Sequence, residues 1–195
     1  MIAVIDYKAG NLTSVMKALL AVGAQAEATS DPDLVMKADK LILPGVGHFS
    51  ATAFLEERGL KVAIQERIRQ GTPFLGVCVG LQWLFEGSTE SKHVPGLGAF
   101  SGSCERFSPG MKVPHVGWNS IEVSQSRLLR GISSGEFVYY THSYRALVVN
   151  ETVAITNYGL PFTAAVERDN IMGVQFHPEK SGRTGLRILE NFVRL

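Results

Sequence analysis

A cysteine flanked by small residues is the part of this sequence where chemistry is most readily expected. The run Gly76-Val77-Cys78-Val79-Gly80 follows an apolar, strand-like segment, and a helical pattern begins directly after it. Such a turn is typical of a nucleophile elbow, which holds the nucleophile in strained backbone angles and needs small neighbours. A thiol at a helix N-terminus also faces the positive end of the helix dipole, which favours the reactive thiolate.

The surroundings of Cys78 decide whether it reacts. The amide of Val79 would point toward the thiol and could stabilise an oxyanion. A small, buried core cysteine would fit the same local pattern, so the residues alone leave both interpretations open. Cys104, in Ser103-Cys104-Glu105, has no such setting, and we interpret it as structural.

A thiol nucleophile needs a base, for which the sequence offers His48, His93, His115, His142 and His177. His177 stands out because it ends a strand-like run and is followed by Pro178 and Glu179. In extended structure His177 and Glu179 would point to one face, where the carboxylate could orient the imidazole. Pro178 places the pair at a strand end, where active sites of open α/β sheets lie. An exposed His-Pro turn is the alternative.

A third element is the loop Pro44-Gly45-Val46-Gly47, which follows a buried strand. Two glycines there indicate unusual backbone angles or a close approach to a ligand. An amide of this loop could supply a second oxyanion donor, although a simple strand-ending turn explains the glycines equally well. No set of His, Cys, Asp and Glu has the spacing of metal ligands, so no metal site is predicted.

The elements that position these residues alternate in the first half of the chain. Asn11 is a plausible N-cap for the first helix, Gly23 ends it, and Gly59 interrupts the second. Short apolar runs between the helices argue for a parallel sheet covered on both faces. We expect strands at 2–5, 40–43 and 73–77, and helices at 12–22, 53–69 and 79–85.

The second half predicts antiparallel hairpins added to the same sheet. The expected strands are 137–140, 145–149, 153–157, 162–167 and 171–176, before a C-terminal helix at 185–195. Residues 90–112 are rich in Gly, Ser and Pro and are interpreted as a surface excursion. The prediction is one α/β domain over 1–195: an open, mostly parallel sheet flanked by helices, with added antiparallel strands.

Composition excludes several classes of protein. The chain has 195 residues, of which 45% are hydrophobic and 19% charged, and this composition excludes disorder. A formal charge of +1 gives no basic footprint for nucleic acid and no polybasic membrane anchor. The N-terminus lacks a signal-peptide pattern, and no apolar run approaches the roughly 20 residues of a membrane span. A soluble cytoplasmic protein is therefore expected.

Four motifs together resemble the class I (triad) glutamine amidotransferases: PGVG at 44–47, GVCVGLQ at 76–82, THSY at 141–144 and GVQFHPEKS at 173–181. Within that class, three segments look like the glutaminase subunits of imidazole glycerol phosphate synthases. They are Asp6-Tyr7 with Gly10-Asn11-Leu12, KVPHVGWN at 112–119, and the ending HPEKS. The similarity runs from the first strand to the last helix.

The resemblance implies a reaction on L-glutamine without a cofactor. Cys78 attacks the side-chain amide, while His177, oriented by Glu179, accepts the thiol proton and later gives a proton to the leaving ammonia. Water then releases glutamate from the thioester. The amides of Val46 and Val79 form the oxyanion hole, for which the PGVG peptide reorients in some family members.

The resemblance also implies a binding pocket and a partner. Glutamine-pocket positions are matched by Gly45, Gly47, Gln82, His142, Ser143 and Tyr144. Interface or tunnel-mouth positions are matched by Asn11, Trp118, Asn119 and Lys180. The family passes ammonia through a tunnel to a (β/α)8-barrel cyclase subunit, in a heterodimer that makes imidazole glycerol phosphate and aminoimidazole carboxamide ribotide for histidine and purine synthesis. Lys8-Ala9 departs from the more usual Gly-x, and His48 replaces a smaller residue.

Two other interpretations compete with this one. The nearest is the glutaminase subunit of another synthase, of the anthranilate, aminodeoxychorismate or guanylate type, against which the segment 112–119 and Lys180 argue. The other is a non-catalytic protein on the same fold, such as a DJ-1-like stress protein. Such proteins often keep the elbow cysteine and lose His-x-Glu, whereas this chain has both.

Overall fold

The computed structural model describes residues 1–108 and 110–195. Its strands are β1 (Ile2–Ile5), β2 (Ala26–Thr29), β3 (Lys40–Leu43), β4 (Phe74–Val77), β5 (Gly87–Ser88), β6 (Ser103–Arg106), β7 (His115–Ser120), β8 (Glu122–Val123), β9 (Phe137–His142), β10 (Tyr144–Arg145), β11 (Thr152–Tyr158), β12 (Leu160–Arg168) and β13 (Ile171–Val174). Its α-helices are α1 (Leu12–Ala21), α2 (Pro32–Lys37), α3 (Ala53–Glu57), α4 (Leu60–Arg69), α5 (Val79–Leu84) and α6 (Gly182–Val193). Short 3-10 helices span Phe49–Thr52 and Pro178–Lys180.

An eight-stranded sheet organises the fold, in the order β2-β1-β3-β4-β13-β12-β11-β8. The first five strands in this order run parallel, and the remaining three pair antiparallel. Helix α1 contacts α6, and α2 contacts α4, so two groups of helices accompany the sheet. The predicted α/β class, with a mostly parallel sheet, flanking helices and added antiparallel strands, is confirmed.

The burial of the central strands explains why they appear in the sequence as continuous apolar runs. Strands β1, β4 and β13 are buried at every residue, as expected where helices cover both faces of a parallel sheet. Asn11 caps α1 by accepting a hydrogen bond from the Ser14 amide, as its position predicts. Gly59, with φ of +70°, separates α3 from α4 at the predicted interruption.

Several expectations for the second half were wrong. The strand expected at 171–176 ends at Val174, and it lies between β4 and β12 instead of in a purely antiparallel hairpin. The strand expected at 145–149 is reduced to Tyr144–Arg145, which pairs with β6 in a separate small sheet. Strand β9 pairs with β7 outside the main sheet. Hydrophobic pattern identifies a strand, but pairing partners are set by contacts distant in sequence.

The segment 90–112 is not only a surface excursion. It contains β6 and contributes the buried side chains of Phe100, Cys104 and Phe107 to the core. Cys104 is fully buried, and burial raises the pKa of its thiol, consistent with a structural role. Over the part of the chain that the structure describes, no helix combines the length and apolarity needed to cross a membrane.

Candidate active site

The turn after β4 places Cys78 in a strained conformation. Its φ of +55° and ψ of −105° lie outside the regions that non-glycine residues ordinarily occupy. Two glycines allow strand and helix to meet there. A Cβ on Gly80 would lie 1.9 Å from the Leu43 carbonyl oxygen, and one on Gly76 would lie 2.4 Å from the Gly80 carbonyl oxygen. Cys78 thus caps α5 with the geometry expected of a nucleophile elbow.

His177 and Glu179 form a buried pair beside this turn. His177 Nδ1 lies 2.9 Å from Glu179 Oε1, and the two side chains are 1% and 2% exposed. Val174 of β13 pairs with Val77 of β4 in a parallel register, so Cys78 and His177 leave neighbouring strands at the same sheet edge. The sequence predicted that His177 and Glu179 would lie together because extended backbone turns both to one face. They do lie together, but Glu179 belongs to the 3-10 helix Pro178–Lys180 and not to extended backbone.

The charges around His177 favour its protonated form. Burial lowers its pKa, but the Cys78 thiolate and the Glu179 carboxylate together outweigh burial and raise the pKa from 6.5 to about 10. Because Nδ1 donates to Glu179, Nε2 is the atom that can exchange a proton with the thiol. Nε2 is buried and has no hydrogen-bond partner among the residues described. The arrangement therefore favours the protonated form of the His177 imidazole beside Cys78.

The thiol opens onto a cavity of about 190 Å³. Five positions that the family resemblance assigned to a binding pocket line it: Gly47, Gln82, His142, Ser143 and Tyr144. Gly45 does not line this cavity. It lies behind the wall, where a Cβ would meet the Tyr7 hydroxyl oxygen at 2.3 Å and Val79 Cβ at 2.7 Å.

Glu90 also lines this cavity, and the sequence analysis did not identify it. Its Oε2 accepts a hydrogen bond of 2.7 Å from the Phe49 amide, which fixes the carboxylate near the mouth of the cavity. Glu90 lies at the start of the segment interpreted as a surface excursion, and its partner is 41 residues away. No local pattern signals such a contact.

A chain of hydrogen bonds supports the cavity wall from behind. His142 Nδ1 lies 2.8 Å from the Tyr144 carbonyl oxygen and must be the donor, so its Nε2 accepts from His115 Nδ1 at 3.0 Å. His115 Nε2 is then the acceptor for Asn119 Nδ2 at 3.4 Å. Burial lowers the pKa of His115 to about 4 and that of His142 to about 3, so both rings are neutral. Gln82 donates to the same Tyr144 carbonyl.

Comparisons with known proteins identify the family of this chain. Residues 3–195 match the family described as Glutamine amidotransferase class-I. The chain belongs to that family. A relative from Methanothermobacter thermautotrophicus, named "Imidazole glycerol phosphate synthase subunit HisH", is 51% identical, and the alignment covers 100% of this chain and 98% of the relative. A relative of the same name from Thermococcus kodakarensis is 50% identical, with 100% of both chains covered.

Solved structures show the same fold at lower sequence identity. A chain titled "Crystal structure of glutamine amidotransferase" superposes with a TM-score of 0.79, at 19% identity, with 100% of both chains covered. PurLQS from Thermotoga maritima gives a TM-score of 0.76 at 18% identity, with 99% of this chain and 97% of the other covered. At these identities the likeness establishes the fold alone.

In this amidotransferase the two expected oxyanion donors are not both directed at the thiol. The Val79 amide donates a long hydrogen bond of 3.5 Å to the Gly45 carbonyl oxygen. Because the Gly45–Val46 peptide is trans, the Val46 amide points to the side opposite that carbonyl. A rotation of this peptide would release the Val79 amide and reverse the direction of the Val46 amide.

The positions assigned to an interface cluster in part. Trp118 is 55% exposed, and its ring centroid lies 5.9 Å from that of Tyr139. Lys180 Nζ lies 5.8 Å from the centroid of the same tyrosine ring. Asn119 binds the Asn157 carbonyl and His115, and Asn11 caps α1, which contacts the 3-10 helix containing Lys180. Trp118 and the exposed Lys180 thus form one surface patch with the half-buried Tyr139.

Two departures from the family pattern have visible consequences. Lys8 adopts φ of +63°, the left-handed region that glycine occupies without strain. His48 caps the 3-10 helix Phe49–Thr52 by accepting from the Ser50 amide. Over residues 1–108 and 110–195, no three His, Cys, Asp or Glu side chains are grouped to hold a metal ion.

Proposed function

We propose that residues 1–195 form one glutamine amidotransferase domain, the glutaminase subunit of an imidazole glycerol phosphate synthase in the cytoplasm. One observation carries the chemistry: the buried His177–Glu179 pair lies beside the strained Cys78, which opens onto a cavity of about 190 Å³. The names and full-length similarity of the relatives support the choice of synthase.

The geometry supports attack by sulfur on an amide. The Cys78 thiolate bonds to the side-chain amide carbon of glutamine, and the carbonyl oxygen takes the negative charge. After the loop peptide rotates, the amides of Val46 and Val79 stabilise this oxyanion. His177 protonates the leaving nitrogen, the C–N bond breaks, and ammonia departs from a γ-glutamyl thioester. His177 then takes a proton from water, whose oxygen attacks the thioester and releases glutamate and the thiolate.

Among the described residues that line the cavity, Glu90 is the one with a carboxylate, which suits the α-ammonium group of glutamine. We expect Glu90→Gln to raise KM for glutamine by about 10- to 100-fold, since a charge-assisted hydrogen bond contributes about 1.5–3 kcal/mol, and to leave kcat within a few-fold. Steady-state glutamate release measures both constants. Glu86→Gln is the matched control, because Glu86 is exposed and lies outside this cavity. An unchanged KM for Glu90→Gln would exclude this contact.

A cyclase subunit is the proposed partner, and L-glutamine is the substrate. In this proposal ammonia passes from Cys78 through a tunnel into a (β/α)8-barrel cyclase, which forms imidazole glycerol phosphate and aminoimidazole carboxamide ribotide. In the patch of Trp118, Tyr139 and Lys180, the two aromatic side chains are of the types that are enriched at interface centres.

Trp118→Ala is expected to weaken binding to the cyclase by about 10- to 100-fold, because exposed tryptophans are frequent hot spots at interfaces. Titration calorimetry against the cyclase measures the change. Val62→Ala serves as the control, since Val62 is 70% exposed on α4 and outside the patch. Equal affinities for the two variants would place the interface elsewhere.

The function is tested by glutamate release from L-glutamine, first by this chain alone and then with the cyclase and its nucleotide ligand. Little activity alone and a large rise in the complex, together with glutamine-dependent product formation, are expected. A chain that hydrolyses glutamine without responding to this cyclase would belong to another synthase. A chain with no glutaminase activity under either condition would have a non-catalytic role.

A further inference from the structure

Tyr7 carries a buried hydroxyl group that makes no hydrogen bond to the residues described. Tyr7 lies two residues after the end of β1, and it is 1% exposed. A buried hydroxyl left without a partner is costly, so its presence calls for a second arrangement in which it is bonded.

The hydroxyl lies against the loop that must rearrange. An added Cβ on Gly45 would be 2.3 Å from the Tyr7 hydroxyl oxygen, which places that oxygen next to the Gly45 backbone. Gly45 is also the residue whose carbonyl occupies the Val79 amide, through the 3.5 Å hydrogen bond. Tyr7 therefore borders the Gly45–Val46 peptide, whose orientation prevents the Val46 and Val79 amides from binding an oxyanion together.

Rotation of the Gly45–Val46 peptide frees the oxyanion donors but leaves a buried carbonyl unpaired. It releases the Val79 amide and turns the Val46 amide toward the thiol, but it leaves the Gly45 carbonyl without its donor. Gly45 is buried, and a buried carbonyl needs a hydrogen bond. The neighbouring hydroxyl of Tyr7 is a donor without an acceptor.

We propose that the Tyr7 hydroxyl donates a hydrogen bond to the Gly45 carbonyl once the Gly45–Val46 peptide has rotated, and so holds the oxyanion hole in its assembled form. Tyr7 is thereby a positioning residue, since it touches the loop and not the substrate. Burial, followed by the charge of the Cys78 thiolate, raises the pKa of Tyr7, so the hydroxyl remains a donor. This inference rests on the proposed glutaminase function.

Tyr7→Phe removes the oxygen and keeps the ring. In the complex with the cyclase and its nucleotide ligand, we expect kcat for glutamine hydrolysis to fall by about 10- to 100-fold, with KM within about twofold. Glutamate γ-semialdehyde, which adds to the Cys78 thiolate as a tetrahedral adduct, should inhibit the variant more weakly by a similar factor. The midpoint of urea unfolding should not fall, because the hydroxyl makes no hydrogen bond in the resting state.

Tyr140→Phe is the control for loss of a buried hydroxyl that is bonded. The Tyr140 hydroxyl lies 2.6 Å from Thr156 Oγ1, so its removal should lower the unfolding midpoint while kcat is largely retained. For Tyr7→Phe, wild-type kcat, or a kcat loss matched by a lower unfolding midpoint, would overturn the proposal. So would a structure of the semialdehyde adduct in which the Gly45 carbonyl still accepts from Val79.

The outcomes separate this proposal from the glutaminase function. If wild-type protein hydrolyses glutamine, Cys78→Ser does not, and Tyr7→Phe equals wild type, only the role of Tyr7 fails. If wild-type protein in the complex releases no glutamate, both proposals fall.

Discussion

Replacing Cys78 with serine is expected to lower glutamine hydrolysis in the cyclase complex by at least about 10³-fold. A serine hydroxyl has nearly the same size as the thiol but is far less readily ionised. The His177–Glu179 pair is arranged beside a thiolate, whose charge helps hold the imidazole protonated. Glutamate release under saturating glutamine measures the loss.

Ammonium-driven synthesis and affinity for the cyclase together distinguish lost chemistry from lost assembly. When ammonium salt replaces glutamine, the cyclase needs no glutaminase, so Cys78→Ser in the complex should support synthesis at the wild-type rate. Affinity for the cyclase should also persist. Substantial glutamine turnover by Cys78→Ser would contradict the mechanism, and a loss of affinity for the cyclase would indicate that the cysteine is needed for assembly.

His177→Asn is expected to cause a loss of similar size, at least about 10³-fold. Asparagine can still hydrogen-bond to Glu179, but it cannot accept the thiol proton or protonate the leaving nitrogen. His93→Asn is the matched control, because His93 is exposed and does not line the Cys78 cavity. Steady-state glutamate release by both variants, in the complex, measures the difference.

The double variant tests whether Cys78 and His177 act as one unit. Residues that serve a single step lose little more together than apart, so Cys78→Ser with His177→Asn should be no slower than either single variant. Multiplicative losses would mean that the two side chains serve independent steps. Wild-type activity of His177→Asn would remove the imidazole from the mechanism.

Local constraints made the turn at Cys78 predictable. The Cys78 turn requires small residues because a Cβ on Gly80 would overlap the Leu43 carbonyl, and that requirement is visible in the sequence. The apolar runs of β1 and β4 are equally visible, since strands buried on both faces are continuously hydrophobic. Sequence therefore predicts the parallel half of the sheet and the position of the turn.

Contacts between distant segments were not predictable in the same way. Strand β2, at the sheet edge, alternates alanine with Glu27 and Thr29 and lacks an apolar run, so no strand was expected there. Glu90 is held at the cavity by a hydrogen bond from the Phe49 amide, and His115 supports the cavity wall by its hydrogen bond to His142. The resemblance to a family supplied pocket positions that residue spacing could not, although it placed Gly45 on the cavity surface and the structure places it behind.

The most direct test of the central claim is to trap the covalent intermediate. Rapid acid quenching of the complex during glutamine turnover, followed by peptide mass spectrometry, locates any γ-glutamyl group. The mechanism predicts the group on the peptide containing Cys78, absent in Cys78→Ser and absent from Cys104, the other free thiol. Glutamate formed with no acylated Cys78 during turnover, or acylation at another residue, would contradict it.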